Sequence, residues 1–224
     1  MIDNTRIMEV KIWSDVRCPF CYIGKRKFEA ALAQFAHKDE VSITWKSFEL
    51  DPNLQTVENT NIYDYFAKAK GIPQSQAVEM FNNVTSVAAE VGLDFKLEKS
   101  VVANSFKAHK LIQLAKNKNL GNEIEEELFR IHFTEGKNID DEAVLLAAGS
   151  NIGLPEDELT TLFNSDNFDA EVRIDQLEAQ RIGIRGVPFF VFDDKYAVSG
   201  AQAPEVFLQT LEKTRASNLE SEKR

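Results

Sequence analysis

The run Val10-Lys11-Ile12-Trp13-Ser14-Asp15-Val16-Arg17-Cys18-Pro19-Phe20-Cys21-Tyr22-Ile23-Gly24-Lys25 carries two signals in immediate succession. Its first part alternates apolar Val10 and Ile12 with Lys11, the period-two pattern of a strand that ends at Asp15. Its second part sets two cysteines three apart at the start of a helix. That helix continues through Phe28, Ala31, Leu32 and Phe35, at the i, i+3, i+4, i+7 spacing of one helical face. Pro19 fits the first helical position, where its missing N–H costs nothing.

A C-x-x-C between a strand and a helix points to thiol chemistry. The unpaired amides and dipole at a helix start favour negative charge, and the first sulfur gains most from them. Arg17, Lys25, Arg26 and Lys27 add positive charge nearby, although the last three can lie a turn or two away in solvent. On this reading Cys18 is the exposed nucleophile, which attacks a disulfide to form a mixed disulfide. Cys21, one turn inside, is the more buried partner that resolves it. Three other readings compete: two small core residues, a structural disulfide, or half of a zinc site. Zinc needs two further ligands, no second C-x-x-C exists, and His37, His109 and His132 show no ligand spacing.

Outward from this run, Val41, Ile43 and Trp45 alternate with polar residues as a second strand, closed by Asp51-Pro52-Asn53. Helical periodicity then holds for roughly a hundred residues. Its stripes are Ile62–Ala69, Ala77–Val91, Val101–Ala115 (Val101, Ser105, Ala108, Ile112, Ala115) and Ile124–Ile131. Asp140 or Asp141 caps Ala143–Ala148, and a short turn follows at Leu159–Phe163. A helix over Ala170–Ile182 leads to Gly186-Val187-Pro188 and the apolar strand Phe189–Phe192. Asp193-Asp194 then turns the chain into the strand Tyr196–Ser199. A last helix runs from Pro204 through Leu211. Strands at both ends most economically form one sheet, although separate domains fit the same pattern. The expected class is α/β. Residues 1–58 form the first part of the sheet domain, 59–166 an inserted helical domain and 167–216 the second part. Residues 217–224 read as a frayed polar tail. Alone, Pro188 reads as a trans proline at a strand start; beside a C-x-x-C, a cis bond becomes the reading.

The chain has 224 residues, 26 Lys+Arg against 36 Asp+Glu for a net charge of −10, and two cysteines. An acidic chain with pI near 4.9 is a poor footprint for nucleic acid or an anionic membrane. Two cysteines exclude a disulfide-rich secreted scaffold. The start, Met1 to Glu9, lacks the apolar core of a signal peptide, and no apolar run is long enough for a membrane span. The expected compartment is therefore the cytoplasm.

Taken together, five segments resemble the thioredoxin superfamily, in its DsbA-like branch. The likeness is to the cytosolic FrnE-like oxidoreductases and their relatives, the 2-hydroxychromene-2-carboxylate isomerases. The segments are Asp15–Lys25, Asn104-Ser105-Phe106-Lys107-Ala108-His109, Phe133–Ile139, Gly186–Val191 and Ser199-Gly200-Ala201-Gln202. The resemblance implies a thioredoxin fold with a large α-helical domain inserted between its halves. It implies that Pro188 is cis and faces Cys18 and Cys21, and that the Val187 backbone docks an extended substrate. It also places Pro19 and Phe20 at an apolar mouth. Asn104 and His109 match a family pattern on a helix that could approach the site, His109 as general base or thiolate partner. The alternative for His109 is a satisfied helix histidine. His37 and His132 read as surface or boundary residues. Gly200-Ala201-Gln202 could meet a glutathione-like anion or simply start a helix.

Two departures bear on activity. DsbA enzymes carry a His between their cysteines, whereas Phe20 stands here, so strongly oxidising character is not carried over. The isomerases commonly replace the first cysteine by Ser and use glutathione; Cys18 with Cys21 favours redox exchange. The expectation is a thiol–disulfide oxidoreductase that needs no tightly bound cofactor. Its partners would be protein or small thiols and disulfides, with glutathione as a candidate redox partner and a recycling thiol system. The alternatives are a glutathione-dependent isomerase or transferase and a peptide-binding, chaperone-like module.

Overall fold

The computed structural model describes residues 7–222. Residues 1–6 of the expected first segment and 223–224 of the expected tail lie outside the described residues. Strand β1 (Met8–Ser14) is central in a four-stranded sheet of order β2-β1-β3-β4. It pairs in parallel with β2 (Val41–Ser47) and antiparallel with β3 (Phe189–Phe192), which forms a hairpin with β4 (Tyr196–Ser199).

Because β1 is covered on both faces, its two sides bury different things. Val10 and Ile12 face helix α1 (Pro19–Gln34) and the last helix, α9 (Pro204–Glu222). There Phe28, Phe190 and Phe207 meet edge to face or tilted, with ring centroids 4.7–5.8 Å apart. Trp13 points the other way, into a cluster with Ala179, Ile184 and Val191. Its indole N–H donates to the Asp175 carbonyl of α8 (Asp169–Arg181) at 3.0 Å.

Between β2 and α8 lie six helices: α2 (Ile62–Lys70), α3 (Gln74–Glu90), α4 (Phe106–Lys116), α5 (Gly121–Phe133), α6 (Glu142–Asn151) and α7 (Glu156–Leu162). Asn61 caps α2 and Asp141 caps α6 through side-chain oxygens, as their residue types favour. Leu111, Ile124, Leu145 and Leu159 of these helices join the same buried cluster as Val10 and Phe28, so one continuous core links the helical block to the sheet. Among the described residues, no helix is long and apolar enough to cross a membrane.

The structure corrects three readings. The stripe beginning at Val101 is not helical until Phe106. Val102 instead bridges Val57, and Asn104 takes up local hydrogen bonds that compete with the helix. His132 is not a surface residue but buried, its ring edge-on to Phe133. Residues 217–222 of the expected frayed tail continue α9. They are held because buried Asn218 donates to Asp193 Oδ2 at 2.6 Å and accepts from Lys195 Nζ at 2.7 Å. Asp193 and Asp194 both adopt positive φ, 49° and 55°, as the twist-matched hairpin turn requires. Asp193 also accepts from the Glu9 amide at 2.7 Å, so α9, the hairpin and β1 are locked at one corner.

If that corner is structural, Asn218→Ala should lower stability by about 1–2 kcal/mol in urea denaturation, the worth of one or two buried hydrogen bonds. An unchanged midpoint would mean the segment behaves as a free tail after all.

Candidate active site

β1 ends at Ser14, and Asp15-Val16-Arg17 turns the chain into α1. The turn closes through Cys18 N–H donating to the Asp15 carbonyl at 2.9 Å. Cys18 is the N-cap of α1, in extended conformation (φ −92°, ψ 109°), and Pro19 opens the helix. The Cys18 side chain caps no amide, and the first turn holds no acidic residue, so the positive helix end is left to the sulfur. Both cysteines are free thiols. Cys18 is not the exposed residue expected: it is 6 % accessible and Cys21 1 %. What covers Cys18 is the loop before β3, whose Val187 carbonyl lies 3.6 Å from Cys18 Sγ. At Cys21, burial pushes the thiol pKa well up, and the neighbouring Cys18 thiol adds to the shift.

The Val187–Pro188 peptide bond is cis. The loop is anchored by Gly200 N–H donating to the Pro188 carbonyl at 2.8 Å. Pro188 packs so closely on α1 that a Cβ on Gly24 would stand 2.9 Å from Pro188 Cγ. The Val187 amide makes no hydrogen bond among the described residues. Beside it, Gly183, Arg185, Gly186, Phe189, Ser199 and Gly200 frame an open groove of about 400 Å³. Phe20 is 43 % exposed. Cys18, Pro19, Phe20, Cys21, Val187 and Pro188 therefore come together at one end of the sheet.

Asn104 and His109 do not line this mouth. The Asn104 side chain donates to the Leu54 carbonyl at 3.0 Å and accepts from the Phe106 amide at 2.7 Å, which ties the loop before α4. His109 is fully buried, with Nε2 3.6 Å from Asp15 Oδ1, an ion-pair contact rather than a formed hydrogen bond. Nor do the three basic residues of α1 crowd around Cys18. Lys25 is buried, not solvated, and donates to Glu126 Oε2 at 2.7 Å; Arg26 donates to the same oxygen at 2.9 Å. Lys27 reaches the Ala201 carbonyl at 3.2 Å.

Sequence reading missed the acidic partners. Asp15 looks like turn chemistry, yet it is wholly buried and accepts from the Leu50 amide at 2.8 Å and the Arg17 amide at 3.1 Å. Burial would raise its pKa, but His109, the Leu50 amide and the Arg17 charge hold it below the usual carboxylate value. Glu125 and Glu126 sit in the acidic run Glu125-Glu126-Glu127 of α5. Glu125 is buried, and burial pushes its pKa up to about 7. The available signal was spacing: Phe129 and His132 lie at i+4 and i+7 from Glu125, which widens the apolar face. Glu126 faces α1. Its pKa, which burial alone would raise, is brought down to about 2 by hydrogen bonds from Arg26, Lys25 and Tyr22.

Two outcomes follow from this geometry. Gly24→Ala would normally gain about 1 kcal/mol in a helix. Here it is expected to lose stability and slow disulfide exchange, because Pro188 must move; a gain in both would refute the close packing. Glu126 has a depressed folded-state pKa, so its contribution is complete above its ordinary value of 4.5 and fades as pH falls towards 2. Glu126→Gln should therefore flatten the acid limb of stability against pH over that window.

The comparisons agree with the geometry. Residues 9–212 match the family described as DSBA-like thioredoxin domain. A Streptomyces coelicolor protein, described as a probable DsbA oxidoreductase, is 35 % identical, with TM-score 0.86 over 92 % of this chain and 89 % of that one. The uncharacterised Bacillus subtilis protein YwbO is 24 % identical over 205 residues, 89 % of this chain and 94 % of its own. DsbM of Pseudomonas aeruginosa, described as a cytosolic disulfide reductase, shares the fold at 19 % identity, with TM-score 0.62 over 96 % of this chain and 98 % of its own. With a thioredoxin-type sheet, a helical insertion and a C-x-x-C facing a cis proline, the chain belongs to the DSBA-like thioredoxin domain family of thiol–disulfide oxidoreductases.

Proposed function

We propose that the protein exchanges dithiols and disulfides with protein or small thiol substrates through a mixed disulfide at Cys18. The observation that carries this reading is the Cys18 sulfur at the head of α1, 3.6 Å from the Val187 carbonyl, with Cys21 buried one turn behind it. The Cys18 thiolate attacks a substrate disulfide, one substrate sulfur leaves as thiolate, and the other stays bonded to Cys18. Cys21 then attacks Cys18, closes the intramolecular disulfide and frees the second thiolate. The reverse sequence oxidises a dithiol. An external thiol system recycles the pair, and no tightly bound cofactor is needed.

The free Val187 amide and its carbonyl offer main-chain pairing to an extended peptide segment. Pro19 and exposed Phe20 give the apolar side of that contact. A groove of about 400 Å³ is at the scale of a small-ligand site and suits glutathione as a small redox partner. DsbM has also been solved with GSH, which supports a small thiol as substrate and the cytoplasm as the place of action. Asn104 serves the loop rather than the substrate, and His109 is enclosed beside Asp15, away from the mouth.

The test is equilibration of the pair in glutathione buffers, followed by thiol trapping and mass measurement. A single two-electron transition is expected, falling within the range of about −270 to −120 mV that the superfamily spans. Cys21→Ser should accumulate a mixed disulfide at Cys18, and Cys18→Ser should be inert. If Cys21→Ser retains full glutathione-dependent activity, the isomerase or transferase reading replaces this one. Client binding that survives in the doubly substituted protein, with no redox transition in the wild type, would favour a chaperone-like module.

A further inference from the structure

Helix α8 turns its larger apolar side chains to solvent. Of the ten large apolar residues exposed among the described residues, Ile174, Leu177 and Ile182 belong to this helix and its C-cap. Ile174, at 58 %, is the most exposed of the ten. The buried residues of α8 are Val172, Asp175 and Ala179. An ordinary surface helix does the reverse, with its apolar stripe facing the core. The inward side is held instead by polar contacts. Asp175 accepts from Lys46 Nζ at 2.8 Å, the Ser47 amide at 3.0 Å and Gln113 Nε2 at 2.7 Å, and its carbonyl accepts from the Trp13 indole. The helix is therefore fixed in place, while Ile174 and Leu177 forgo the stabilisation that burial brings.

The same outer stripe carries charge of one sign. At about 100° per residue, Ala170, Arg173, Ile174, Leu177 and Arg181 share one side of α8. Arg173 is half exposed, its Nη1 donating to Glu49 Oε2 at 2.6 Å and its guanidinium lying 4.4 Å from the centre of the Phe106 ring. Arg181 and Arg185 are exposed and form no ion pair among the described residues. The stripe holds no carboxylate: Glu178 is drawn to Lys46 at 2.9 Å, and Glu171 sits at the margin. On a chain of net charge −10 this is a cationic and apolar face.

Both ends of the face lead to the mouth. Ile182 is followed by Gly183, Arg185 and Gly186, which line the groove, and then by Val187, whose carbonyl lies 3.6 Å from Cys18 Sγ. At the other end Arg173 holds Glu49, and the next residue, exposed Leu50, donates its amide to Asp15 at 2.8 Å. From Ile174 to Ile182 the helix rises about 12 Å, the span of three or four extended residues. We propose that this face docks the segment of a polypeptide substrate that flanks its reacting cysteine, an extended stretch of apolar and acidic residues. This rests on the redox reading above and narrows its substrate class to acidic polypeptides. Apolar side chains of the segment cover Ile174 and Leu177, and its carboxylates meet Arg173 and Arg181.

A second copy of the chain fits this face less well. A two-fold axis at Leu177 would set Arg173 of each copy against Arg181 of the other, like charges across a desolvated contact. A small thiol does not account for the face either. Ile174, Leu177 and Arg181 do not line the groove, so a small thiol seated there leaves them uncovered. The face therefore separates polypeptide substrates from small ones.

The experiment compares two peptides, each with one cysteine joined to a chromophoric thiol as a disulfide. One carries a stretch of Leu and Glu beside the cysteine; the other has Lys for every Glu. Chromophore release reports attack by Cys18. The wild type should react about tenfold or more faster with the acidic peptide, the scale at which surface charge speeds association. High salt should narrow the gap. Arg181→Glu should reverse the preference, which a misfolded variant could not do. Ile174→Ser combined with Leu177→Ser should slow both peptides and leave the reaction with oxidised glutathione unchanged. Equal rates for the two peptides, or a preference that survives Arg181→Glu, would overturn the docking, while a normal reaction with oxidised glutathione keeps the redox reading. If peptides and oxidised glutathione are all inert, the redox reading fails and the proposal with it. A dimer in sedimentation that Leu177→Ser dissociates would give the face to a second copy and overturn the proposal.

Discussion

The antiparallel register of β1 on β3 is the constraint on which the site depends. Trp13 pairs with Phe189 at the end of this ladder. The chain leaving β1 there runs through Asp15 to Cys18, and the chain arriving at β3 comes from Val187 and Pro188. Antiparallel pairing therefore brings two segments about 170 positions apart to the same sheet end, with a sulfur 3.6 Å from a carbonyl. A slip of one residue would turn every β3 side chain to the opposite face. Phe190 and Phe192, which now pack on Phe28, would then swap sides with Val191, and both cores would resist. Core packing is thus what fixes the position of the reactive atoms.

Much of this was legible because it is local or periodic. The strand–C-x-x-C–helix succession, the cap at Asp141 and the Asp193-Asp194 turn each follow from a few neighbouring residues. What was not legible required a partner distant in sequence. Asp15 looks like an ordinary turn aspartate until Leu50 and His109 arrive from elsewhere. Asn218 looks like part of a polar tail until the hairpin turn offers Asp193. The exposure of Cys18 was misjudged for the same reason: a helix start is open until the Val187 loop closes over it. His109 stands out by residue type, but its depth and its direction, away from the mouth, depend on where α4 docks.

The helical insertion is then more than a cover for the sheet. Two adjacent residues of α5 are separated by about 100° around the helix axis. That rotation lets Glu126 hold Lys25 and Arg26 of α1 while Glu125 turns inward towards His109. The first contact fixes the helix that presents the cysteines and draws its cations away from the sulfurs. The second puts a buried carboxyl beside the Asp15–His109 pair. The sheet supplies the nucleophile and the docking loop, while the buried charges that face Asp15 come from α4 and α5. The insertion and the sheet share one core, and that core keeps His109 within reach of Asp15.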